Sequence, residues 1–199
     1  MRLLDPADGG VARAAALLRE GEVIAFPTDT VYGLAARASD EAALLRIYSI
    51  KGRPEDRPLV LMVRTVDALE QWAHVDARAR AYIERWWPGP LTLVLPARHR
   101  LGFPLATGSP PTIAARIPDH AVARSLLEAA GEGLATTSAN RSGLPPALTP
   151  DQAALDGVAA VLDGGAAPGG QASTLLDLTQ PRPRVLREGP VPAAALVPT

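Results

Sequence analysis

The chain contains no cysteine in 199 residues. Disulfides, thiolate metal sites and cysteine nucleophiles are therefore excluded, and a reducing compartment suits the composition. Aromatic residues make up only 4%, which leaves few platforms on which nucleic acid bases could stack. Neither sign of charge dominates. Twenty lysines and arginines stand against 21 aspartates and glutamates, for a formal net charge of −1, so there is no bulk attraction to nucleic acid and any anion site must be local. No apolar run approaches the roughly 20 residues that cross a bilayer. The opening Met1-Arg2-Leu3-Leu4-Asp5-Pro6 also lacks the apolar stretch of a signal peptide. A cytoplasmic protein with no membrane span is expected. Familiar catalytic motifs are missing too. There is no Gly-x-x-x-x-Gly-Lys-Ser/Thr phosphate loop and no nucleophile elbow. His74, His99 and His120 do not stand at metal-ligand spacing and read as surface or capping residues. The glycine-rich run 164–170 carries a proline and no lysine, and reads as a plain loop.

What is present is ordinary for a globular core. A chain of this length with 47% hydrophobic residues can bury one sizeable core, so a single domain over 1–199 is expected. The 20 prolines point to many rigid loops. Helical patterns run over 12–19, 39–50, 66–72, 77–87 and 119–130. The second opens on Ser39 or Asp40 as N-cap. Short apolar runs at 23–26, 59–63, 91–96, 112–117 and 134–138 read as buried strands, and 159–163, 173–178 and 184–187 are further candidates. Residues 28–34 and 101–111 read as loops. Strands and helices interleave, but several strand-to-strand steps are too short for a helix. That pattern implies an α/β fold with a mixed sheet. The apolar tail after Pro190 is either a packed terminus or a frayed end.

The chemistry concentrates between residues 26 and 58. Strand 23–26 runs into Pro27-Thr28-Asp29-Thr30-Val31-Tyr32-Gly33-Leu34, a turn-prone cluster of hydroxyls and a carboxylate. One helix later comes Lys51-Gly52-Arg53-Pro54-Glu55-Asp56-Arg57-Pro58, with three cations on a backbone restrained by prolines and a glycine. Elsewhere Arg116 and Arg187 stand near strand ends, and Thr112, Thr136, Thr137, Ser138, Ser173 and Thr174 supply neutral donors. In open α/β sheets ligands collect at strand ends, where loops converge. Each cation alone reads as a solvated surface charge, and Ser138-Ala139-Asn140 alone as a turn. Together they suggest a phosphate-rich ligand held by arginines and hydroxyls, without a side chain suited to be a general base.

These segments resemble the YrdC family of threonylcarbamoyl-adenylate synthases. The stretch from Pro27 to Leu34 is similar to its Pro-Thr-Glu/Asp-Thr-x-Tyr-Gly-Leu signature, Lys51-Gly52-Arg53-Pro54 to its Lys-x-Arg-Pro, and Ser138-Ala139-Asn140 to its Ser-x-Asn. Trp87-Pro88-Gly89-Pro90-Leu91-Thr92, Arg116-Ile117-Pro118-Asp119-His120, Ser173-Thr174 and Arg187-x-Gly189 follow in the family's order, so the likeness spans about residues 10–189. The resemblance implies the short, single-domain form, with a twisted mixed α/β sheet around a positively charged cavity.

It also implies a reaction. L-Threonine, bicarbonate and ATP, with Mg²⁺, would give L-threonylcarbamoyl-adenylate and pyrophosphate, and a separate tRNA threonylcarbamoyltransferase would use the product on adenosine 37 of tRNA. By the same resemblance Lys51 and Arg53 are catalytic, and ATP is bound by Lys51, Arg53, Arg57, Thr112, Ser138, Asn140 and Arg187. L-Threonine is bound by Thr28, Thr30, Tyr32, Arg116, Thr136 and Ser173, with Arg116 on its carboxylate. The chain departs from the family at Arg57, where asparagine is common, and at Pro146, where serine or threonine is usual. At Met62 many relatives have a histidine, so Met62 is either a packing residue or an apolar wall. Two other readings remain at this stage. One is a module that binds tRNA or double-stranded RNA, disfavoured by the charge and the scarce aromatics. The other is a carbamoyltransferase domain of hydrogenase maturation, disfavoured by the missing cysteines and the length.

Overall fold

A computed structural model describes residues 2–52, 57–98 and 105–197. Its strands in chain order are β1 (Arg2–Leu4), β2 (Ile24–Phe26), β3 (Gly33–Arg37), β4 (Val60–Met62), β5 (Leu91–Pro96), β6 (Ala106–Thr107), β7 (Thr112–Arg116), β8 (Leu134–Ser138), β9 (Ala160–Leu162), β10 (Thr174–Asp177) and β11 (Arg184–Arg187). The helices are α1 (Gly10–Arg19), α2 (Glu41–Lys51), α3 (Val66–Glu70), α4 (Ala77–Trp86), α5 (Ala121–Ala130) and α6 (Ala193–Leu196). All strands join one sheet in the spatial order β1-β9-β2-β3-β8-β4-β7-β5-β10-β11, with β6 added beside β7. Pairings β1–β9, β9–β2, β4–β7 and β5–β10 are parallel, and the others are antiparallel. The sheet is mixed, as the interleaving of elements implies.

Strand periodicity separates two apolar layers. Alternate residues face opposite sides, so Ala25, Leu61 and Val161 enter one cluster, while Ile24, Phe26, Met62, Ala160 and Leu162 enter the other. The larger layer takes Ala43, Leu44 and Ile47 of α2, Leu69 of α3 and Ile83 of α4. The smaller takes Ala14, Ala15 and Leu18 of α1 with Ala123, Leu126 and Leu127 of α5. That smaller layer draws on β1, β9, β2, β3, β8 and β4 but on no residue of β7, β5 or β10. The second face of the sheet is thus covered by helices over only part of its width. The uncovered part is where the site lies.

Element ends follow local chemistry. Asp40 caps α2 by accepting the Ala43 N–H at 3.0 Å, and Gly52 ends that helix with a φ of 59°. Asp76 caps α4, which stops ahead of Pro88. Three strands go beyond the sequence expectations: β1, β3 and β6. Residues 33–37 are Gly-Leu-Ala-Ala-Arg, which carry little intrinsic strand preference. They become a central strand because β2 and β8 pair with them on both sides and Leu34, Ala35 and Ala36 are fully buried. Helix α5 begins at Ala121, with no side-chain cap from His120. The tail beyond Pro190 is packed: Val191 and Leu196 are buried, and the Tyr82 hydroxyl donates to the Leu196 carbonyl. No helix among the described residues is long and apolar enough to cross a membrane.

Candidate active site

On the uncovered part of the sheet lies a cavity of about 330 Å³. Strand register explains its floor. Met62 sits opposite Arg116, Val60 opposite Ala114 and Thr136, and Thr92 opposite Leu175. Residues directly opposite in a ladder share a face, and all of these line the cavity. The rim comes from the 28–33 turn, Arg57, Ser138, Ser173 and Arg187.

The turn is wired by one hydroxyl. Thr28 Oγ1 donates to the Val31 carbonyl at 2.6 Å and accepts the backbone N–H groups of Thr30 and Val31 at 3.1 and 3.2 Å. A hydroxyl has one proton, so in the 3.0 Å contact between Thr28 Oγ1 and Thr30 Oγ1 the donor is Thr30. Thr30 Oγ1 in turn accepts from Arg116 Nη1 at 3.1 Å. Arg116 Nε donates to the Gly89 carbonyl at 2.8 Å, and Nη2 to Asp29 Oδ1 at 2.6 Å. The Arg116 side chain is only 3% exposed. Burial pushes its pKa down from the ordinary arginine value, and the Asp29 carboxylate beside it opposes that shift. Two bonds to the 28–33 turn and one to Gly89 fix the orientation of the guanidinium, and two of its five N–H donors remain.

Across the floor, Ser173 Oγ and Thr92 Oγ1 are 2.6 Å apart. Arg187 Nε and Nη2 donate to the Ser173 carbonyl at 3.0 and 2.8 Å, beside a register shift between Leu175 and Leu176 in the β10–β11 ladder. Gly189 permits this fold-back. A Cβ there would lie 2.4 Å from the Thr174 nitrogen and 2.5 Å from the Ala172 carbonyl oxygen.

Of the residues expected from the sequence, Thr28, Thr30, Tyr32, Arg57, Arg116, Thr136, Ser138, Ser173 and Arg187 line the cavity. Thr112, Lys51 and Asn140 lie outside its lining, and Arg53 is outside the described residues. Lys51 is almost fully buried. Its ammonium donates to the Ser138 carbonyl, to the Asn140 carbonyl at 2.7 Å and to Asn140 Oδ1 at 3.1 Å. Asn140 Oδ1 also accepts the Ser138 hydroxyl at 2.6 Å, and its Nδ2 donates to the carbonyls of Arg141 and Leu144. Lys51 and Asn140 thus brace the β8 end that carries Ser138. Thr112 Oγ1 bonds the Thr107 carbonyl at 3.3 Å. Tyr32 donates to the Gly165 carbonyl at 2.7 Å and accepts the Gly164 N–H at 3.1 Å. Burial is the main reason its pKa is raised. The 164–170 segment is a loop, as its composition implies, but it buttresses the threonine turn: a Cβ on Gly169 would come within 2.9 Å of the Thr30 carbonyl oxygen.

Two residues stand out only in three dimensions. Thr92 is a hydroxyl within an apolar strand, and its alternation with Leu91 and Leu93 was the available signal. Asp29 lay inside the recognised turn, but nothing in the sequence paired it with Arg116, 87 positions away. Chemically, the described lining offers three arginines, several hydroxyls and an apolar patch of Val60, Met62, Ala114 and Leu175, and no aspartate, glutamate or histidine. Such a set binds carboxylates and phosphates and lacks a side-chain general base. Among the described residues no group of three or more His, Asp or Glu could hold a metal ion.

Comparison with known proteins agrees with the fold. The model of the Sua5/YciO/YrdC family, described as telomere recombination, matches residues 16–189. The threonylcarbamoyl-AMP synthase of Bacillus subtilis is 42% identical over 186 residues, covering 92% of this chain and 54% of its own length. That of Pyrococcus abyssi is 42% identical over 183 residues, again covering 54% of its length. The chain therefore spans about half the length of these two relatives. The synthase of Chromohalobacter salexigens, 39% identical over 171 residues, is covered to 92%. In structure, P. abyssi Sua5 complexed with L-threonine matches with a TM-score of 0.91 at 37% identity, over 98% of this chain and 59% of that one. E. coli YciO matches at 0.86 and 29% identity, over 96% of each chain.

Proposed function

We infer that this chain, which belongs to the Sua5/YciO/YrdC family, joins L-threonine, bicarbonate and ATP into L-threonylcarbamoyl-adenylate and releases pyrophosphate. The observation that carries this reading is the buried Arg116, held by Thr30, Asp29 and Gly89 and facing a cavity beside an apolar patch. An amino acid with a carboxylate at one end and a methyl group at the other matches that pair of surfaces. The P. abyssi structure bearing L-threonine has the same fold.

In this reading Arg116 pairs with the threonine carboxylate, and the hydroxyls of Thr30, Thr136 and Ser173 meet its polar groups, with Thr28 and Tyr32 shaping that end. Met62, opposite Arg116 in the ladder, acts as an apolar wall for the substrate methyl. The amine attacks the carbon of CO₂ with loss of a proton, or of bicarbonate with breakage of a C–O bond and loss of water, to give a carbamate. A carbamate oxygen then attacks the α-phosphorus, and the bond to pyrophosphate breaks. Enclosure of the reactants lowers the entropic barrier and shields the labile carbamate from water. Arg53, Arg57 and Arg187 offset charge on the triphosphate and on the leaving pyrophosphate, so the cavity becomes a positively charged one. Lys51 and Asn140 act by fixing Ser138 under the nucleotide, and Thr112 by shaping the β7 end. Mg²⁺ enters with ATP. A hard cation that keeps waters and phosphate oxygens needs few protein ligands, which fits a described lining without carboxylates. The product would pass, in a compartment holding ATP and tRNA, to a tRNA threonylcarbamoyltransferase. RNA binding as the main role gains no support from a cavity in whose described lining the single aromatic, Tyr32, is tied to the glycine loop.

The test is pyrophosphate release with ATP, Mg²⁺, bicarbonate and L-threonine, omitting each in turn. Release should need both threonine and bicarbonate, and Arg116→Met should raise KM for threonine by about 10–100-fold, since bonds to a charged group contribute about 1.5–3 kcal/mol. Release that ignores threonine would overturn the assignment.

A further inference from the structure

The mechanism above uses Arg116 but not the carboxylate behind it. We propose that Asp29 is a positioning residue that presents the Arg116 guanidinium to the carboxylate of the amino-acid substrate, an inference that rests on the reading just given. Asp29 is absent from the cavity lining, so it acts through Arg116 and not on the substrate. Its Oδ1 accepts Arg116 Nη2 at 2.6 Å and the Asp119 backbone N–H at 3.1 Å. One oxygen therefore ties three segments together: the threonine turn, the end of β7 and the approach to α5.

The chemistry of the remaining oxygen argues that the charge matters. Asp29 Oδ2 is buried and has no hydrogen-bond partner among the described residues. A buried carboxylate with an unsatisfied oxygen is unfavourable. An asparagine would accept the same two bonds through its own Oδ1, so those bonds alone do not require a carboxylate. What an asparagine would lack is the opposite charge: Arg116, almost fully buried, needs a counter-charge whenever the cavity is empty. Nearby His120 does not compete with Arg116 for the Asp29 carboxylate. Its Nδ1 is buried without a partner among the described residues, and burial pushes the ring towards the neutral form.

Two effects of removing Asp29 oppose each other. Freed from its counter-charge, Arg116 would attract a substrate carboxylate more strongly. Freed from its anchor, it would turn away from the geometry in which Thr30 and Gly89 present it. The proposal is that the second effect wins. The experiment is calorimetric titration of L-threonine into wild type, Asp29→Asn and Asp29→Ala, alongside KM for ATP and threonine. Expected is a Kd for threonine weakened about tenfold or more in Asp29→Ala and less in Asp29→Asn, which keeps an acceptor, with KM for ATP within about twofold of wild type. Threonine binding unchanged or tighter in both variants would overturn the proposal and leave Asp29 as a neutralising group only. Equal weakening for ATP and threonine would also overturn it, as a general structural defect. Wild type that does not bind L-threonine would remove the functional reading itself, and this inference with it.

Discussion

The residues around Arg116 also set a pH response. His120 is half-buried, and burial is the largest influence lowering its pKa, against opposing pulls from Asp29 and Asp119. The unfolded value is about 6.5. Below that pH the unfolded chain takes up a proton that the folded ring resists, so the unfolded state binds more protons and stability falls as pH drops. Above about 6.5 both states are neutral and the contribution is flat. Urea midpoints at pH 7.5 and 5.5 should therefore differ less in His120→Gln than in wild type, and an equal difference would contradict the account. Much at this scale was legible beforehand. The hydroxyls and cations of the motifs could be named by position, and nine of them line one cavity. Direction was not legible. Nothing in Lys51-Gly52-Arg53 says that the lysine turns inward to carbonyl oxygens, and nothing in Leu91-Thr92-Leu93 says that Thr92 meets Ser173.

Elements show why those directions arise. Helix α2 ends at Lys51 and Gly52, with its C-terminal carbonyls beside the β8 end, and the Ser142 N–H donates to the Lys51 carbonyl at 2.8 Å. The lysine ammonium continues the same junction through Ser138 and Asn140. Lys51→Met should therefore reduce stability by about 1–3 kcal/mol, because buried acceptors lose their donor, and should raise KM for ATP more than for threonine. Unchanged urea stability with a collapse of kcat would instead mean that Lys51 acts on the phosphates directly. Strand β3 marks the limit of sequence reading at this scale. Gly-Leu-Ala-Ala-Arg has neither β-branched side chains nor alternation, and only the pairing with β2 and β8 makes it a strand. Strands of stronger pattern, such as β5 and β8, match their expected bounds.

At the scale of the whole molecule, function follows from an unequal division of one sheet. Helices α1 and α5 cover the β1–β9–β2–β3 side of a face and leave β7, β5 and β10 uncovered, so loops distant in sequence meet over an open floor. The interleaving of elements already implied a mixed sheet. The division between its two halves was not legible, because the apolar alternation of β4 and β7 looks the same whether a helix or a substrate lies above it. A cavity with arginines at its floor and rim, hydroxyls around it and no aspartate, glutamate or histidine in its described lining suits the proposed reaction, whose nucleophile is a carbamate made in place. The most direct test is to supply ¹³C-bicarbonate with L-threonine and Mg·ATP and to measure the product by mass. The account predicts a threonylcarbamoyl-adenylate that carries the ¹³C label, formed in step with pyrophosphate. Nucleotide turnover that yields no labelled adduct would contradict it.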